Sequence, residues 1–179
     1  MKSNKKIITE RLILEPFSEK YLSEEYVSWL NNPELMKFSE NRHRTHTLES
    51  CREYMESFNN SSNFFWAIIL RNSQKHIGNI NVYIDTYNST ADIGLLIGDS
   101  NAHRKGFGYE VWSAVIDFLI AEQNIRKITA GTMALNQGML KIMKNSGMME
   151  DGIRKGQFIL DREAVDGIYM AIFNKEYKI

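Results

Sequence analysis

The stretch from Ile93 to Glu110 reads IGLLIGDSNAHRKGFGYE. Its apolar beginning predicts a strand, its middle predicts a turn, and an apolar stripe typical of an amphipathic helix follows it. A helix N-terminus carries unpaired N–H groups and a partial positive charge, which suit a phosphate. Gly106 and Gly108 let phosphate oxygens approach the backbone, while Arg104 and Lys105 add charge. The stretch therefore predicts a loop that binds a diphosphate.

Other phosphate-binding loops fit this stretch poorly. A Walker loop needs G-x-x-x-x-G-K-[ST], and the sequence contains no such run. A dinucleotide-binding loop needs glycine or alanine three residues after Gly108, where this sequence has Val111. An ordinary strand–helix turn, with glycines that serve only packing, is the alternative.

The pattern on both sides of this stretch predicts an α/β fold. Apolar runs bounded by turn-like clusters predict seven strands, at residues 7–17, 64–70, 77–84, 91–98, 127–131, 152–158 and 165–173. Helical spacing of apolar residues predicts four helices, which begin after Ser18, Thr47, Gly108 and Asn136. Because helices interleave with strands, we expect an α/β fold with a mixed sheet.

Length and composition predict one globular domain over residues 1–179. The 43% hydrophobic and 25% charged residues give an ordinary balance for such a domain. Cys51 is the single cysteine, which excludes an internal disulfide and favours a reducing, cytoplasmic location. The sequence shows neither a signal peptide nor a run of about 20 apolar residues, so we expect no membrane partner. A net charge of zero argues against nucleic-acid binding.

Four motifs in register resemble the GNAT superfamily, and in particular its ribosomal-protein and amino-sugar N-acetyltransferases. They are the first strand at residues 9–14, an acyl-CoA loop at 103–108, a helix at 136–148 and a closing hairpin with Asp-Gly pairs at 151–152 and 166–167. The resemblance extends from about Ile8 to Phe173. It implies a mostly antiparallel seven-stranded sheet that splays after its fourth strand, residues 91–98, to admit acetyl-CoA.

The resemblance also implies which residues hold acetyl-CoA, the expected co-substrate. The pantetheine arm would pair with backbone groups of Leu95, Leu96 and Ile97, and the Asn136 side chain would contact it from the other side. The pyrophosphate and its surroundings would be contacted by His103, Arg104, Lys105, Gly106, Phe107, Gly108 and Tyr109. Asn136 also fits a plain helix cap.

Two carboxylates match family positions for the general base that removes a proton from the acceptor amine. They are Asp151 and Asp92, and each is one methylene shorter than the family's usual glutamate. Met143 and Met139 replace the family's proton-donating tyrosine and serine, so Tyr109 or Tyr169 is an alternative acid. The sequence contains no metal-binding motif, and we expect no metal.

The expected acceptor is a small-molecule or peptide amine. Arg42, His43 and Arg44 lie in the segment that covers the acceptor side in this family, and their charge favours an anionic acceptor such as a nucleotide-linked amino sugar. A protein N-terminus is the main alternative acceptor. A non-catalytic acyl-CoA-binding protein is the alternative from another class. The sequence is compatible with a homodimer and does not fix the oligomeric state.

Overall fold

A computed structural model describes residues 5–177 of the chain. Within that range the strands are β1 (Ile7–Ile8), β2 (Leu12–Pro16), β3 (Phe64–Leu70), β4 (His76–Asp85), β5 (Thr90–Ile97), β6 (Lys127–Met133), β7 (Met149–Leu160) and β8 (Glu163–Phe173). The helices are α1 (Glu24–Leu30), α2 (Pro33–Met36), α3 (Leu48–Ser57), α4 (Phe107–Ala121) and α5 (Gln137–Asn145). Short 3₁₀ turns occupy Glu19–Tyr21, Glu40–His43 and Ser100–Ala102.

The strands form one mixed sheet, as the sequence predicts. Across the described residues their order is β1-β2-β3-β4-β5-β6-β8-β7. Only β5 and β6 pair in parallel, and α4 provides the long crossover that a parallel pair needs. None of the helices in this part of the chain is long and apolar enough to cross a bilayer.

The predicted count of seven strands is wrong by one, because the first predicted strand is a hairpin. The main-chain N–H of Thr9 donates to the Leu12 carbonyl at 3.0 Å, and the Leu12 N–H donates to Thr9 Oγ1 at 3.0 Å. This turn folds Ile7 back onto Leu14, so β1 and β2 pair antiparallel. Apolar alternation continues across the turn and conceals it in the sequence.

Two of the four predicted helix starts agree with the structure, α4 begins two residues earlier than predicted, at Phe107, and one start is wrong. Thr47 caps α3 through a hydrogen bond from the Ser50 N–H, and Asn136 caps α5. Ser18 precedes only a 3₁₀ turn, and α1 begins instead after Ser23, whose hydroxyl accepts a hydrogen bond from the Tyr26 N–H. Between α1 and α3, where the sequence predicts no helix, the structure contains α2 and a 3₁₀ turn.

Helices cover both faces of the sheet. The helices α4 and α5 pack on one face, where Val115 and Leu119 of α4 are fully buried. The helices α1 and α3 pack on the other face, where Tyr26 and Cys51 are buried. Burying each large apolar side chain contributes roughly 1.5–3 kcal/mol. The two cores fix the sheet between them and determine which side each strand residue faces.

The sheet splays between β5 and β6. These strands pair only from Thr90–Lys127 to Asp92–Thr129, although β5 stays paired with β4 as far as Ile97. Beyond Asp92 the two central strands therefore diverge and leave a gap. The splay lies where the sequence predicts it, although the strand that borders it is the fifth.

Candidate active site

The backbone of β5 turns alternate residues towards the gap. The Gly98 N–H donates to the Ile77 carbonyl of β4 at 2.8 Å. Continuing that register, Leu96 pairs with Asn79 and Gly94 pairs with Asn81, so their backbone groups also point to β4. The intervening residues Ile93, Leu95 and Ile97 turn their N–H and C=O groups the other way, to the gap. Of the three residues predicted to pair with pantetheine, Leu95 and Ile97 have this orientation, but Leu96 does not.

The predicted phosphate loop forms a tight turn at the start of α4. Gly106 is the N-cap, with a left-handed φ of 80°, and Arg104 also has a positive φ of 60°. Glycine adopts this backbone without strain, and it leaves the first N–H groups of the helix open to an anion. The His103 ring nitrogen is 2.8 Å from the Ile97 carbonyl oxygen. This contact ties the loop to the gap-facing edge of β5.

Arg11 fastens the N-terminal hairpin to this loop. Its Nε lies 2.7 Å from Glu110 Oε2, and its Nη1 donates to the Lys105 carbonyl at 3.0 Å. Its guanidinium also stacks 4.6 Å from the centroid of the Phe107 ring. The Thr9 hydroxyl adds a hydrogen bond to the same carboxylate at 2.6 Å. Through Arg11 and Thr9, the turn of the hairpin thus contacts Lys105 in the loop and Phe107 and Glu110 at the start of α4.

The sequence analysis did not identify Arg11 or Glu110 as site residues. In the sequence, Glu110 could have indicated a nearby cation. A carboxylate in the first turn of an anion-binding helix repels the ligand unless a cation compensates its charge. Burial opposes its ionisation, but hydrogen bonds from Thr9 and Arg11 lower the pKa of Glu110 overall. The carboxylate is therefore ionised and neutralised by Arg11, which leaves the helix N-terminus fit for phosphate.

We expect Arg11→Ala to weaken acetyl-CoA binding by about 10- to 100-fold, because it removes charge-assisted hydrogen bonds and exposes the phosphate to Glu110. Titration calorimetry measures the affinity. Turnover of S-acetylpantetheine, which lacks the diphosphate, should change little. Adding Glu110→Gln should restore part of the affinity. Arg52→Ala is the matched control, since Arg52 pairs with Glu19 and Glu49 on the surface. Equal losses for both acetyl donors would contradict the role in phosphate binding.

The two candidate bases differ in their surroundings. Both oxygens of Asp151 contact Lys127 Nζ, at 2.9 and 2.7 Å. Asp92 instead accepts one hydrogen bond from Thr129 Oγ1, at 2.8 Å, and lies where β5 and β6 part. Burial of its carboxylate raises the pKa of Asp92, although the Thr129 hydrogen bond opposes this. The carboxylate of Asp92 is thus more basic than usual, while that of Asp151 is held in an ion pair.

Asn136 makes the contacts of a helix cap. Its Oδ1 accepts the Met139 N–H at 3.2 Å, and its Nδ2 donates to Thr132 Oγ1 at 3.0 Å. Met143 is fully buried in the core, which is consistent with a packing role. Tyr109 is 43% exposed on the first turn of α4, and its hydroxyl lies 3.5 Å from the Asn145 carbonyl oxygen. Tyr109 directly follows the phosphate loop in the sequence, and its side chain is exposed.

A cavity of about 840 Å³ adjoins the gap, and residues from both faces of the sheet line it. Ile93, Ala130 and Trp112 border it at the gap, and Tyr26 and Asn79 line it on the side of α1 and α3. The cavity therefore gives a second molecule access to the gap from the face opposite α4.

The structure divides the basic cluster predicted to bind the acceptor. Arg44 lines both the large cavity and a neighbouring pocket beside Leu160, whereas Arg42 and His43 line only that second pocket. The Arg42 guanidinium is occupied by Glu40 Oε1, at 2.6 Å, and by main-chain carbonyls. The assignment of Arg42 and His43 to the acceptor site is not supported by this placement.

Across residues 5–177, no three His, Cys, Asp or Glu side chains are arranged to hold a metal.

A splayed sheet with a glycine-capped helix beside the gap and a cavity behind it defines the class of acyl-CoA-dependent acyltransferases. The sequence model of the Acetyltransferase (GNAT) domain matches residues 11–149, and the chain belongs to this family. It is an N-acetyltransferase that uses acetyl-CoA as co-substrate.

Individual relatives agree with this family. The chain is 25% identical over 171 residues to the uncharacterized N-acetyltransferase YnaD of Bacillus subtilis, covering 96% of this chain and 98% of YnaD. Its fold is similar to the spermidine N-acetyltransferase of Vibrio cholerae, with a TM-score of 0.83, 17% identity and coverage of 94% and 99%. It is also similar to the ribosomal-protein-S5-alanine acetyltransferase of Vibrio fischeri, with a TM-score of 0.75, 19% identity and coverage of 98% and 100%.

Proposed function

We propose that the chain acetylates the primary amine of an amino sugar, with the acetyl donor in the gap and the acceptor in the large cavity. The observation that carries this proposal is the arrangement of the two spaces on either side of β5. The phosphate loop lies at one end of the gap, and the cavity opens on the face of α1 and α3. Donor and acceptor therefore meet beside the gap-facing backbone of Ile93 and Leu95.

The donor side offers groups that fit each part of acetyl-CoA, which supplies an acetyl group on a thioester. The N–H groups that open α4, with Arg104 and Lys105 beside them, suit the diphosphate. The gap-facing backbone of Leu95 and Ile97 suits the amides of pantetheine, which it would pair like an added strand. An N–H on this edge also suits the thioester carbonyl, where it would stabilise negative charge as an oxyanion hole does.

On the acceptor side, Asp92 is our candidate for the general base. An alkylammonium must lose a proton before it attacks, because its pKa is near 10. Asp92 is an exposed residue at the apex of the splay, next to Ile93 of the cavity lining, and desolvation of its carboxylate raises its pKa above the ordinary value. It would accept the proton directly or through a water. Asp151 serves better as the partner of Lys127, since that ammonium contacts both of its oxygens.

The lining of the cavity offers polar groups that suit a hydroxylated acceptor, beside two carboxylates, Glu40 and Glu53. Its inner wall on the α1 and α3 side carries two amides, Asn79 and Asn81, and the hydroxyls of Tyr54 and Tyr83, whose oxygens lie 2.8 Å apart. Amides and hydroxyls both donate and accept hydrogen bonds, as sugar hydroxyls require. Arg44 adds one cation that suits a phosphate on the sugar.

The direct test is an acceptor screen in which release of free CoA is detected by a thiol reagent. Amino sugars, nucleotide-linked amino sugars, polyamines and peptides with free N-termini are compared at equal concentration. We expect the highest kcat/KM with an amino sugar. A clear preference for peptides would replace our proposal with protein N-terminal acetylation.

A nucleotide-linked acceptor makes a further demand on Arg44. We expect Arg44→Ala to raise the KM for a nucleotide-linked amino sugar about tenfold relative to the free sugar, because a hydrogen bond to a charged group is lost. Arg42→Ala provides the comparison, since Arg42 is held by Glu40 outside the large cavity. A larger effect at Arg42 than at Arg44 would support the acceptor site predicted from the sequence instead.

A further inference from the structure

Polar side chains follow one face of β4. Asn79, Asn81 and Tyr83 point towards α1 and α3 and line the large cavity, while Ile80 and Val82 between them are fully buried against the opposite core. Asn79 lies deepest, with an exposed fraction of 7%. A buried position in the middle of a sheet is ordinarily apolar, so an amide at this position requires an explanation.

The amide oxygen of Asn79 is not satisfied by the described protein. Within residues 5–177 its Oδ1 is buried without any hydrogen-bond partner. Its neighbours in register are Ala67 on β3 and Leu96 on β5, and neither side chain has a polar atom to offer. A buried amide oxygen without a hydrogen-bond partner lowers the free energy of unfolding. The stability of the free protein would therefore improve if an apolar residue of similar size stood there.

The next residue of the row connects this amide to the reacting centre. Asn81 pairs with Gly94 of β5, and a Cβ on Gly94 would lie 2.8 Å from Asn81 Oδ1. The Asn81 side chain therefore rests directly on the β5 backbone, beside the gap-facing groups of Ile93 and Leu95. An acceptor bound by Asn79 and Asn81 would therefore lie next to the backbone of Ile93 and Leu95, where we place the thioester. It would approach from the face of the sheet opposite the phosphate loop.

We propose that Asn79 is a specificity residue that hydrogen-bonds a hydroxyl group neighbouring the reacting amine. The inference rests on the proposed acetylation of an amino sugar and assigns part of its recognition. The last torsion of an asparagine is soft, so the amide can turn its oxygen or its nitrogen into the cavity. A sugar hydroxyl can donate to the first or accept from the second. An alkylammonium of a polyamine only donates, so it could use the amide oxygen and not the amide nitrogen.

The test replaces Asn79 by leucine, which has a similar volume and no polar atom. Glucosamine and cyclohexylamine are the acceptors, since both present a primary amine on a six-membered ring and only the first has hydroxyls. We expect the ratio of their kcat/KM values to fall about tenfold in Asn79→Leu, which is the loss of one hydrogen bond. Affinity for acetyl-CoA should be unchanged. The melting temperature should rise, because the unsatisfied amide is gone.

Asn63→Leu is the matched control. Asn63 Oδ1 accepts a hydrogen bond from the Ile84 N–H at 2.8 Å, and Asn63 does not line the large cavity. This amide is satisfied within the protein, so its loss should lower the melting temperature and leave the acceptor ratio unchanged. The two asparagines should therefore shift stability in opposite directions.

Three results separate the possible failures. If Asn79→Leu lowers the melting temperature as Asn63→Leu does, Asn79 has a structural partner and the inference is wrong. If the melting temperature rises while the acceptor ratio is unchanged, the amide does not read the hydroxyl, and the inference is again wrong. If the unchanged protein binds acetyl-CoA but acetylates neither amine, the proposed acceptor class itself fails.

Discussion

Acetyl-CoA binding should be lost when Gly106 is replaced by glutamate. Gly106 has a φ of 80°, where a residue with a Cβ is strained by roughly 1–2 kcal/mol. The new carboxylate would also stand in the cradle meant for the diphosphate and repel it. Together these effects predict a loss of affinity of at least about 100-fold, since each 1.4 kcal/mol is a factor of ten. Titration calorimetry with acetyl-CoA measures it.

Gly147→Glu separates the electrostatic effect from the backbone effect. Gly147 follows α5 with a φ of 85°, and an added Cβ would meet only the Ile172 side chain, at 3.7 Å. The control should therefore lose similar stability and keep its affinity for acetyl-CoA. If Gly106→Glu binds acetyl-CoA as tightly as Gly147→Glu does, the loop does not hold the diphosphate and the assigned donor site is wrong.

The second large effect is expected for Asp92→Asn. A positioned base typically contributes 10²- to 10⁴-fold, so kcat should fall by at least about 100-fold while acetyl-CoA affinity stays unchanged. Asp151→Asn should reduce kcat much less, because that carboxylate is occupied by Lys127. Steady-state kinetics with the best acceptor of the screen compares the two. The opposite ranking would make Asp151 the base.

The pH profile provides an independent check on Asp92. The base acts when ionised, so activity should be lost as the pH falls through its pKa, which burial raises above the ordinary value. Thr129 donates to the ionised carboxylate, and this hydrogen bond lowers the pKa. Removing it with Thr129→Val should therefore move the acidic limb of the kcat/KM profile to a higher pH. An unmoved limb in this variant would exclude Asp92 as the group that titrates.

The sequence predicts those parts of the fold that depend on neighbouring residues. Thr47 and Asn136 mark helix starts through the preferences of their own side chains, and both were placed correctly. The hairpin at Thr9 was missed because the apolar alternation runs through the turn without interruption. It is closed by hydrogen bonds and by pairing with α4 through Glu110, which is about a hundred residues away and leaves no local signal.

Site residues whose direction is set by distant partners were the least predictable. Three consecutive residues of β5 look alike in sequence, but the register with Ile77 turns Leu96 away from the gap. Arg42 and Arg44 are two residues apart, yet Glu40 holds the first outside the cavity. Lys127 forms an ion pair with Asp151 across 24 residues of chain. In each case the chemistry of the residue was visible and its orientation was not.

The narrow junction between β5 and β6 has a mechanical consequence. The sheet consists of two parts, β1 to β5 and β6 to β8. In the described chain these parts are joined by only three residue pairs, from Thr90–Lys127 to Asp92–Thr129. A pantetheine arm bound along the gap-facing edge of β5 would add contacts between the two parts of the sheet. Bound acetyl-CoA would then hold β6, β7 and β8 against the rest of the sheet. Slower hydrogen exchange of the backbone N–H groups where β5 meets β6 would therefore report bound acetyl-CoA.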